Sequence, residues 1–114
     1  MENEMILNAK KTTLEITFKG EIDHQRVLMY REKLIDLIDQ HQFSDVIMNF
    51  KDVSFIDSSG IGLVLGRYNQ LNFEHRKLII TGLNKMSYKL FELSGLFQIL
   101  PYYKTIEEAI KREE

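Results

Sequence analysis

The stretch that determines the fold runs from residue 49 to residue 71 and reads NFKDVSFIDSSGIGLVLGRYNQL. It continues the apolar run Val46-Ile47-Met48, which predicts a buried strand over residues 45–49. Residues 51–56 predict a short link, and Asp57-Ser58-Ser59-Gly60 then precedes an apolar-rich segment long enough for several helical turns. Ser and Asp are favoured there, because their side-chain oxygens accept from free amides of the first turn. The stretch therefore predicts a strand and a helix that begins at two adjacent hydroxyl groups.

The predicted helix after Ser59 has two candidate faces. At about 100° per residue, one stripe is apolar, and another carries Gly62 and Gly66, with Asn69 and Phe73 close by. The apolar stripe consists of Ile61, Val64, Leu65, Tyr68 and Leu71. We expect the apolar stripe to face the sheet. In the alternative, the glycines allow close approach to the strands, and Ile61 is exposed to a partner.

Upstream of this stretch, the sequence predicts a hairpin and a helix. Residues 5–9 form a short apolar run, and residues 12–18 alternate between apolar and polar side chains, which is the period of a half-buried strand. Gly20 is expected to end the second strand. Asp23 is a candidate N-cap for an amphipathic helix over residues 24–40, where apolar residues recur at helical spacing.

Downstream, strands and helices alternate. Residues 77–81 predict a strand, and Asn84 can cap a helix that ends at Leu93, before a glycine stop at Gly95. The residues of this helix at helical spacing are Met86, Leu90 and Leu93. Residues 97–100 predict a last strand that Pro101 ends.

The C-terminal segment predicts a final helix. Thr105 and Glu108 match a capping box, in which a threonine at the cap is followed by a glutamate three residues on. The charged residues after Ile110 are expected to form a frayed, solvated end.

This order of elements predicts an α/β fold. Strands that alternate with helices become parallel neighbours, and the early hairpin adds an antiparallel member, so that one mixed β-sheet carries helices packed against it. With 114 residues and no internal repeat or linker, the chain fits one domain, residues 1–114.

The composition excludes several classes of function. Hydrophobic residues make up 44% and charged residues 28%, which is ordinary for a globular protein. There is no cysteine, which excludes disulfides, thiolate metal sites and cysteine nucleophiles. The net charge of -2 gives no support for nucleic-acid binding. Because no apolar run approaches about 20 residues and the N-terminus is not a signal peptide, we expect a cytoplasmic protein with no membrane association.

Five segments of the chain resemble one protein family. Residues 57–62, DSSGIG, preceded by residues 53–56, VSFI, resemble the signature of the STAS domain of bacterial anti-sigma-factor antagonists. Residues 20–24 (GEIDH), 65–68 (LGRY) and 93–97 (LSGLF) extend the similarity over essentially the whole chain. The last two segments favour the branch of the family in the sigma-F sporulation pathway. The branch in the general-stress sigma-B pathway, which shares the motif, stays open.

The resemblance implies a non-enzymatic regulator built as a single STAS domain. In that family the unphosphorylated protein binds an anti-sigma factor and so releases the sigma factor. The anti-sigma factor is also a serine kinase, and it phosphorylates the position matched by Ser58, while Ser59 keeps a capping role. A phosphatase of the PP2C type removes the phosphate. ATP and Mg²⁺ belong to the kinase, so no cofactor is expected in this chain.

The resemblance also implies a partner-binding surface around the two serines. In the family, the loop after the second strand lies beside the phosphorylated turn, where Asp23 can pair with a basic group of the anti-sigma factor. Leu90 is the residue of the following helix that we expect to be exposed near the turn. The predicted partner-binding residues are Glu21, Asp23, His24, Asp57, Ser58, Ser59, Gly60, Ile61, Gly62 and Leu90.

The expected effect of phosphorylation follows from charge. A phosphoserine adds about -1.5 to -2 charges and several acceptor oxygens. At a helix N-terminus, free amides and the helix dipole favour an anion, although Asp57 opposes it locally. We therefore expect the fold to remain intact, and the effect to fall on a partner that docks over the turn.

Three other kinds of site have weaker support. A nucleophile elbow requires glycine two residues before and two after the serine, but the residue two before Ser58 is Ile56. A dinucleotide fingerprint requires Gly or Ala in its sixth place, which Leu65 occupies. The acidic and histidine residues at 21–24 are explained by capping rather than by a metal. A small-ligand or nucleotide-binding STAS module without phosphorylation remains an open alternative.

Overall fold

The computed structural model describes residues 2–113 and contains one mixed sheet with helices on both faces. The strands are β1 (Glu4–Lys10), β2 (Thr13–Ile22), β3 (Asp45–Ile56), β4 (Lys77–Thr81) and β5 (Tyr102–Tyr103). The helices are α1 (His24–Gln40), α2 (Ser58–Asn72), α3 (Lys85–Ser94) and α4 (Ile106–Arg112), with a 3-10 turn at Leu96–Gln98. The strand order is β1-β2-β3-β4-β5, and only β1 runs antiparallel to its neighbour. The predicted α/β class and the N-terminal hairpin are confirmed.

The second strand continues past Gly20, so the prediction that this glycine ends it was wrong. β2 runs to Ile22, with shifts in its pairing to β3 between Thr17 and Lys19 and again at Gly20. Gly20 has φ +89°, and a Cβ there would lie 2.1 Å from Asn3 Oδ1. The glycine therefore allows an irregularity within the strand instead of ending it.

The third strand is also longer than predicted. Residues 51–56 are not a link but the second half of β3, which pairs with the extended β2 in the register Glu21 opposite Phe55 and Ile22 opposite Ile56. Because β2 continues, β3 has a hydrogen-bonding neighbour over its whole length. As a result, β3 leads directly into Asp57, at the start of α2.

The main core lies between the sheet and helices α1, α2 and α3. As predicted, the apolar residues of β2 face this core, and α1 buries Val27, Tyr30, Leu34 and Ile38. A smaller cluster on the other face joins Ile47 and Ile79 to Ala109 of α4. None of the helices within residues 2–113 has both the length and the apolar character of a membrane-spanning segment.

Most of the predicted apolar stripe of α2 faces the core as expected, since Val64 and Leu71 are buried and Ile61 and Tyr68 pack against the core. The helix also buries residues outside that stripe. Its buried residues are Gly60, Leu63, Val64, Arg67 and Leu71, whereas Leu65 is 40% exposed. Arg67 turns inward because its Nε donates to Gln70 Oε1 at 2.9 Å, while Gln70 bonds α1 through the carbonyl of Ile35. A Cβ at Gly62 or Gly66 would meet no atom within 4 Å. These two glycines therefore do not serve close packing on the strands, so this part of the alternative was wrong, while Ile61 is half-buried.

The predicted strand over residues 97–100 was wrong. Gly95 ends α3 in the left-handed conformation (φ +83°), and the chain then forms a 3-10 turn in which Phe97 packs against Tyr88 and Tyr102. The last strand, β5, comes after Pro101 instead of before it. Pro101 suits this position, because its carbonyl accepts from Ile80 N at 3.1 Å and no donor is required of it.

The final helix begins as predicted but ends differently. The side chain of Thr105 accepts from Glu108 N at 3.1 Å, which confirms the N-cap. Helix α4 continues to Arg112, and Glu113 accepts from Lys77 Nζ at 2.7 Å and from the Tyr103 hydroxyl. The prediction of a frayed end was therefore wrong up to residue 113, and Glu114 lies outside the described residues.

Candidate functional site

The cap of α2 is built around the carboxylate of Asp57. Asp57 Oδ1 accepts from the backbone N–H of Ser59 at 2.9 Å and from the Ser59 hydroxyl. The pKa of Asp57 is lowered, chiefly by the bond from the Ser59 hydroxyl and further by the backbone N–H groups of Ser59, Gly60 and His24. The N-cap is therefore Asp57, and Ser59 supports it by donating to it instead of capping the helix itself.

Ser58 lies at the first position of α2 and is exposed. Its hydroxyl makes no hydrogen bond to the part of the chain that the structure describes, whereas the half-buried Ser59 hydroxyl is engaged by Asp57. A group attached to Ser58 Oγ would lie at the positive end of the dipole of a 15-residue helix, where the N–H groups of Ser59 and Gly60 already donate to Asp57. The position thus combines an accessible hydroxyl with a local field that favours an anion.

The loop after β2 lies beside this turn, as predicted. Asp57 N donates to the carbonyl of Ile22 at 3.2 Å, and the backbone N–H of His24 is among the groups that lower the pKa of the Asp57 carboxyl. Asp23 caps α1, since its Oδ1 accepts from Arg26 N at 2.9 Å. The side chains of Glu21 and His24 are exposed next to it.

The next residues of α2 separate into buried and exposed positions. Gly60 is buried, and a Cβ there would lie 2.3 Å from Ile56 Cγ1. Ile61 is half-buried against the core, and Gly62 is exposed. The exposed part of the helix start is therefore formed by Ser58, Gly62 and one side of Ile61.

Leu90 lies in an apolar groove between the end of β3 and α3. The groove encloses about 380 Å³ and is lined by Ser54, Phe55, Ile56, Met86, Ser87, Lys89, Leu90 and Leu93. Phe55 is 43% exposed, Met86 76% and Leu93 75%, while Leu90 is half-buried. Phe55 and Ile56, which line the groove, directly precede Asp57 in the chain, so one wall of the groove leads into the serine turn.

The exposure of Phe55, Met86 and Leu93 was not predicted from the sequence. Met86, Leu90 and Leu93 share a helical spacing, but α3 instead turns Ser87 and Phe91 toward the core. Alternation over residues 53–56 would place Phe55 on the same face as the buried Val53, but both Ser54 and Phe55 are exposed, so the sequence carried no signal for the exposure of Phe55. Among residues 2–113, no three His, Asp or Glu side chains are grouped as a metal site would require.

Comparison with known proteins gives consistent results over the whole chain. The family model described as the STAS domain matches residues 4–109. An anti-sigma F factor antagonist of Paenibacillus polymyxa is 29% identical over 114 residues, which are 100% of this chain and 97% of that protein. An anti-sigma F factor antagonist of Lysinibacillus sphaericus is 37% identical over 75% of this chain and 74% of that protein. An anti-sigma-B factor antagonist of Bacillus subtilis strain 168 is 31% identical over 76% and 78%, respectively.

Solved structures agree with this family and with the fold. The anti-sigma factor antagonist SpoIIAA in its unphosphorylated form is 34% identical, with a TM-score of 0.76 over 96% of each chain. The Bacillus cell fate determinant SpoIIAA in the phosphorylated form is 36% identical, with a TM-score of 0.78 over 97% of this chain and 100% of that one. The chain therefore belongs to the STAS-domain family of anti-sigma factor antagonists, which are regulatory proteins rather than enzymes.

Proposed function

We propose that this protein is a phosphorylation-controlled antagonist of an anti-sigma factor and acts in the cytoplasm. The unphosphorylated form binds the anti-sigma factor and releases the sigma factor, and a phosphate on Ser58 blocks this binding. The observation that carries the proposal is the position of Ser58, whose exposed hydroxyl stands at the start of α2, next to an exposed apolar groove.

The proposed docking surface combines the groove with the turn. Exposed apolar patches on soluble proteins mark interaction sites, and Met86 and Leu93 are each about three-quarters exposed. These side chains and Leu90 supply the apolar contact, while the polar residues Glu21, Asp23 and His24 supply the rim. Asp57, Ser59, Gly60, Ile61 and Gly62 complete the predicted set by forming and flanking the turn.

The proposed switch acts on the complex and not on the fold. A phosphate on Ser58 adds about -1.5 to -2 charges within one residue of Asp57, whose lowered pKa keeps it charged at neutral pH. The start of α2 stabilises that anion within the protein. A partner surface that fits a neutral hydroxyl would instead meet added bulk and negative charge, which disfavours docking.

The proposed enzymes of the cycle act on this chain and are not part of it. The anti-sigma factor is the serine kinase that modifies Ser58, and a PP2C-type phosphatase restores the free hydroxyl. The solved relative SpoIIAA has structures in both an unphosphorylated and a phosphorylated form, which supports a reversible modification here.

We favour the sigma-F sporulation pathway over the sigma-B pathway. One anti-sigma F factor antagonist matches the full length of this chain at 29% identity and another is 37% identical, against 31% and 33% for two anti-sigma-B factor antagonists. These differences are small, so the pathway is tested by pull-down against the anti-sigma kinase of each pathway. Capture by the sigma-B kinase alone would reverse the assignment.

A small-ligand function is the second candidate, and a cleft favours it. The cleft encloses about 770 Å³ beyond the carboxyl ends of β4 and β5, and its walls carry three lysines and three tyrosines with one acidic residue: Lys51, Lys85, Lys104, Tyr88, Tyr102, Tyr103 and Glu108. Lysines around tyrosines suit an anionic ligand with an aromatic group. Calorimetry with nucleotides in the absence of kinase tests this function, and absence of heat at millimolar ligand would remove it.

The first experiment measures intact mass after incubation with ATP, Mg²⁺ and each anti-sigma kinase. Wild type, Ser58→Ala and Ser59→Ala are compared, and binding of each to the kinase is measured by calorimetry. We expect one added phosphate, lost only in Ser58→Ala, and loss of binding in the phosphorylated protein. A phosphate that persists in Ser58→Ala would move the site to another residue.

A second set of variants tests the docking surface separately from the phosphate. Leu93→Asp places a charge in the groove while the residue is 75% exposed in the free protein, so the fold should tolerate it. We expect this unphosphorylated variant to bind the anti-sigma factor at least about tenfold more weakly, because a groove contact is replaced by a desolvated charge. Ile110→Asp, on α4 and 43% exposed, is the matched control.

A further inference from the structure

The strand β1 forms one edge of the sheet, and no strand within residues 2–113 pairs with its outer side. It is 7 residues long and mostly exposed. Ile6 and Leu7 point to opposite faces of the sheet and are 41% and 42% exposed. An edge of this length presents a row of unpaired N–H and C=O groups that a further strand can bind.

The sequence of β1 is complementary to itself when two copies run antiparallel about Leu7. In that register, Glu4 lies opposite Lys10 of the second copy, Met5 opposite Ala9, Ile6 opposite Asn8, and Leu7 opposite Leu7. Opposite charges that face each other across a strand pair are favourable, and like charges are unfavourable. A shift of two residues in either direction would separate Glu4 from Lys10 at both ends of the pair.

The charges that flank the edge agree with this register. Within one copy, Glu4 stands opposite Lys19 of β2, and Lys10 Nζ lies 3.5 Å from Glu15 Oε2. The side chain of Lys10 is 59% exposed, so its ammonium is free to meet Glu4 of a second copy as well. Acidic and basic side chains would then alternate across the seam, the line along which the two β1 strands would pair.

Helix α1 adds an apolar side chain beside the same edge. Met29 is 61% exposed and lines a cleft of about 430 Å³ together with Met5 and Tyr30. The rest of the lining is polar or charged and consists of Asn3, Glu4, Arg26, Glu32, Lys33 and Asp36. When two β1 strands pair about a two-fold axis normal to the sheet, the α1 helices of both copies lie on the same face, on either side of the seam. The second copy would then cover part of this cleft.

We propose that β1 pairs antiparallel with β1 of a second copy of this chain, centred on Leu7, so that two five-stranded sheets become one continuous sheet. The serine turn and the groove stay free, because they lie beyond β2, at the end of β3 and on α3. The pairing does not depend on the proposed function and can be tested without any partner protein.

The first test measures the dissociation constant of the dimer by analytical ultracentrifugation. Glu4→Lys places two lysines opposite each other at both ends of the seam, and we expect it to raise the dissociation constant about tenfold. Glu107→Lys, an exposed site on α4, makes the same charge change away from the seam and should leave the constant unchanged. A wild-type protein that stays monomeric at millimolar concentration, or a dimer indifferent to Glu4→Lys, overturns the proposal.

The second test fixes the register by disulfide formation, which the absence of cysteine in the natural chain makes unambiguous. Leu7→Cys should form a linked dimer on mild oxidation, because the two positions face each other. Met5→Cys should not link to itself, since its copies stand roughly 14 Å apart along the strands, beyond the reach of a disulfide. Met5→Cys should link to Ala9→Cys when the two are mixed, and equal self-linking at positions 5 and 7 would overturn the register.

Discussion

The two serines at the start of α2 are adjacent in sequence but have different surroundings. The carboxylate of Asp57 accepts from both the backbone and the hydroxyl of Ser59, which ties this residue into the cap. The hydroxyl of Ser58 points to solvent. The cap therefore distinguishes two chemically identical groups, because it occupies one of them and leaves the other accessible to a modifying enzyme.

This difference predicts unequal effects on stability. Ser59→Ala should lower the free energy of unfolding by about 0.5–1.5 kcal/mol, because Asp57 loses a hydrogen-bond donor. Ser58→Ala should change it by less than about 0.5 kcal/mol, as expected at an exposed site. Urea unfolding at pH 7 measures both values. Equal losses in the two variants would contradict the described cap.

The same cap predicts a dependence on pH. The pKa of Asp57 lies below its ordinary value of 3.8, mainly because of the Ser59 hydroxyl. Its contribution to stability is therefore fully present above pH 3.8 and is lost as the pH falls through the lowered pKa. In Ser59→Ala, the pKa of Asp57 should rise toward 3.8, which NMR titration of the carboxyl group measures. An unchanged pKa in this variant would assign the shift to the backbone donors.

Two glycines of α2 should respond in opposite directions to the same substitution. Gly66→Ala should raise the free energy of unfolding by about 0.5–1 kcal/mol, because the site is open and alanine restricts the unfolded chain. Gly60→Ala should lower it by about 1–3 kcal/mol through overpacking, since the new Cβ would lie 2.3 Å from Ile56 Cγ1 in the core. Urea unfolding compares the pair. A neutral Gly60→Ala would mean that Ile56 can move aside.

At the scale of elements, helix starts were predictable from sequence because their signals are local. The N-caps Asp23, Asn84 and Thr105 each accept from a backbone N–H three residues on, and all three lie where the sequence predicted them. Strand ends were less predictable, because a strand continues only as far as a neighbouring strand pairs with it. β2 and β3 extend each other past Gly20 and Asn49, which no pattern within either segment indicates.

The candidate site was likewise predictable only where it depends on local sequence. The serine turn depends on a local cap, and the sequence located it. The apolar groove depends on the rotation of α3, which is set when Phe91 packs against Phe50 and Phe97 in the core. Because that rotation is a tertiary property, the helical spacing of Met86 and Leu93 indicated a shared face without indicating that the face is exposed.

Arg76 lies between α2 and β4 and binds backbone carbonyls at and just after the end of α1. Its substitution should therefore destabilise the fold. Its side chain is 7% exposed, and its guanidinium donates to the carbonyls of Ile38 at 3.1 Å, His41 at 2.7 Å and Phe43 at 2.7 Å. Arg76→Met should lower the free energy of unfolding by roughly 2–4 kcal/mol, because these carbonyls lose a charged donor. Chemical unfolding measures the loss.

The control for Arg76 is Arg31→Met, at an exposed site on α1. It removes the same charge and should change the free energy of unfolding by less than about 0.5 kcal/mol. Arg76→Lys should lie between the two, because one ammonium cannot reach three carbonyls in the fork geometry of a guanidinium. A loss in Arg76→Lys as small as that in Arg31→Met would show that charge alone matters at this position.

At the scale of the whole molecule, the two faces of the sheet are covered to different extents. Three helices and the main core cover one face, while the other carries a small cluster under α4. The seven residues of α4 bury little apolar surface, with Ala109 as their buried residue. The position of this helix therefore depends more on polar contacts at its end than on packing.

Those contacts make the closure of this face dependent on pH. Glu113 accepts from Lys77 Nζ at 2.7 Å and from the Tyr103 hydroxyl, and both bonds, that from Lys77 most, lower the pKa of Glu113 below its ordinary value of 4.5. The contribution of Glu113 to stability is thus fully present above pH 4.5 and is lost as the pH falls through the lowered pKa. The pKa of Lys77 is raised above 10.5 by the same bond, so the ion pair also fails at alkaline pH.

Glu113→Gln should therefore lower the free energy of unfolding at pH 7 by about 1 kcal/mol, a modest value because Lys77 is half exposed. The difference from wild type should shrink as the pH falls below 4.5 and vanish once the pH lies below the lowered pKa of Glu113, where the wild-type carboxyl is itself protonated. Thermal unfolding between pH 3 and pH 8 measures this, with the exposed Glu107→Gln on the same helix as the control. A difference that stays constant over this range would mean that Glu113 acts through its shape and not through its charge, and α4 would then be held by packing after all.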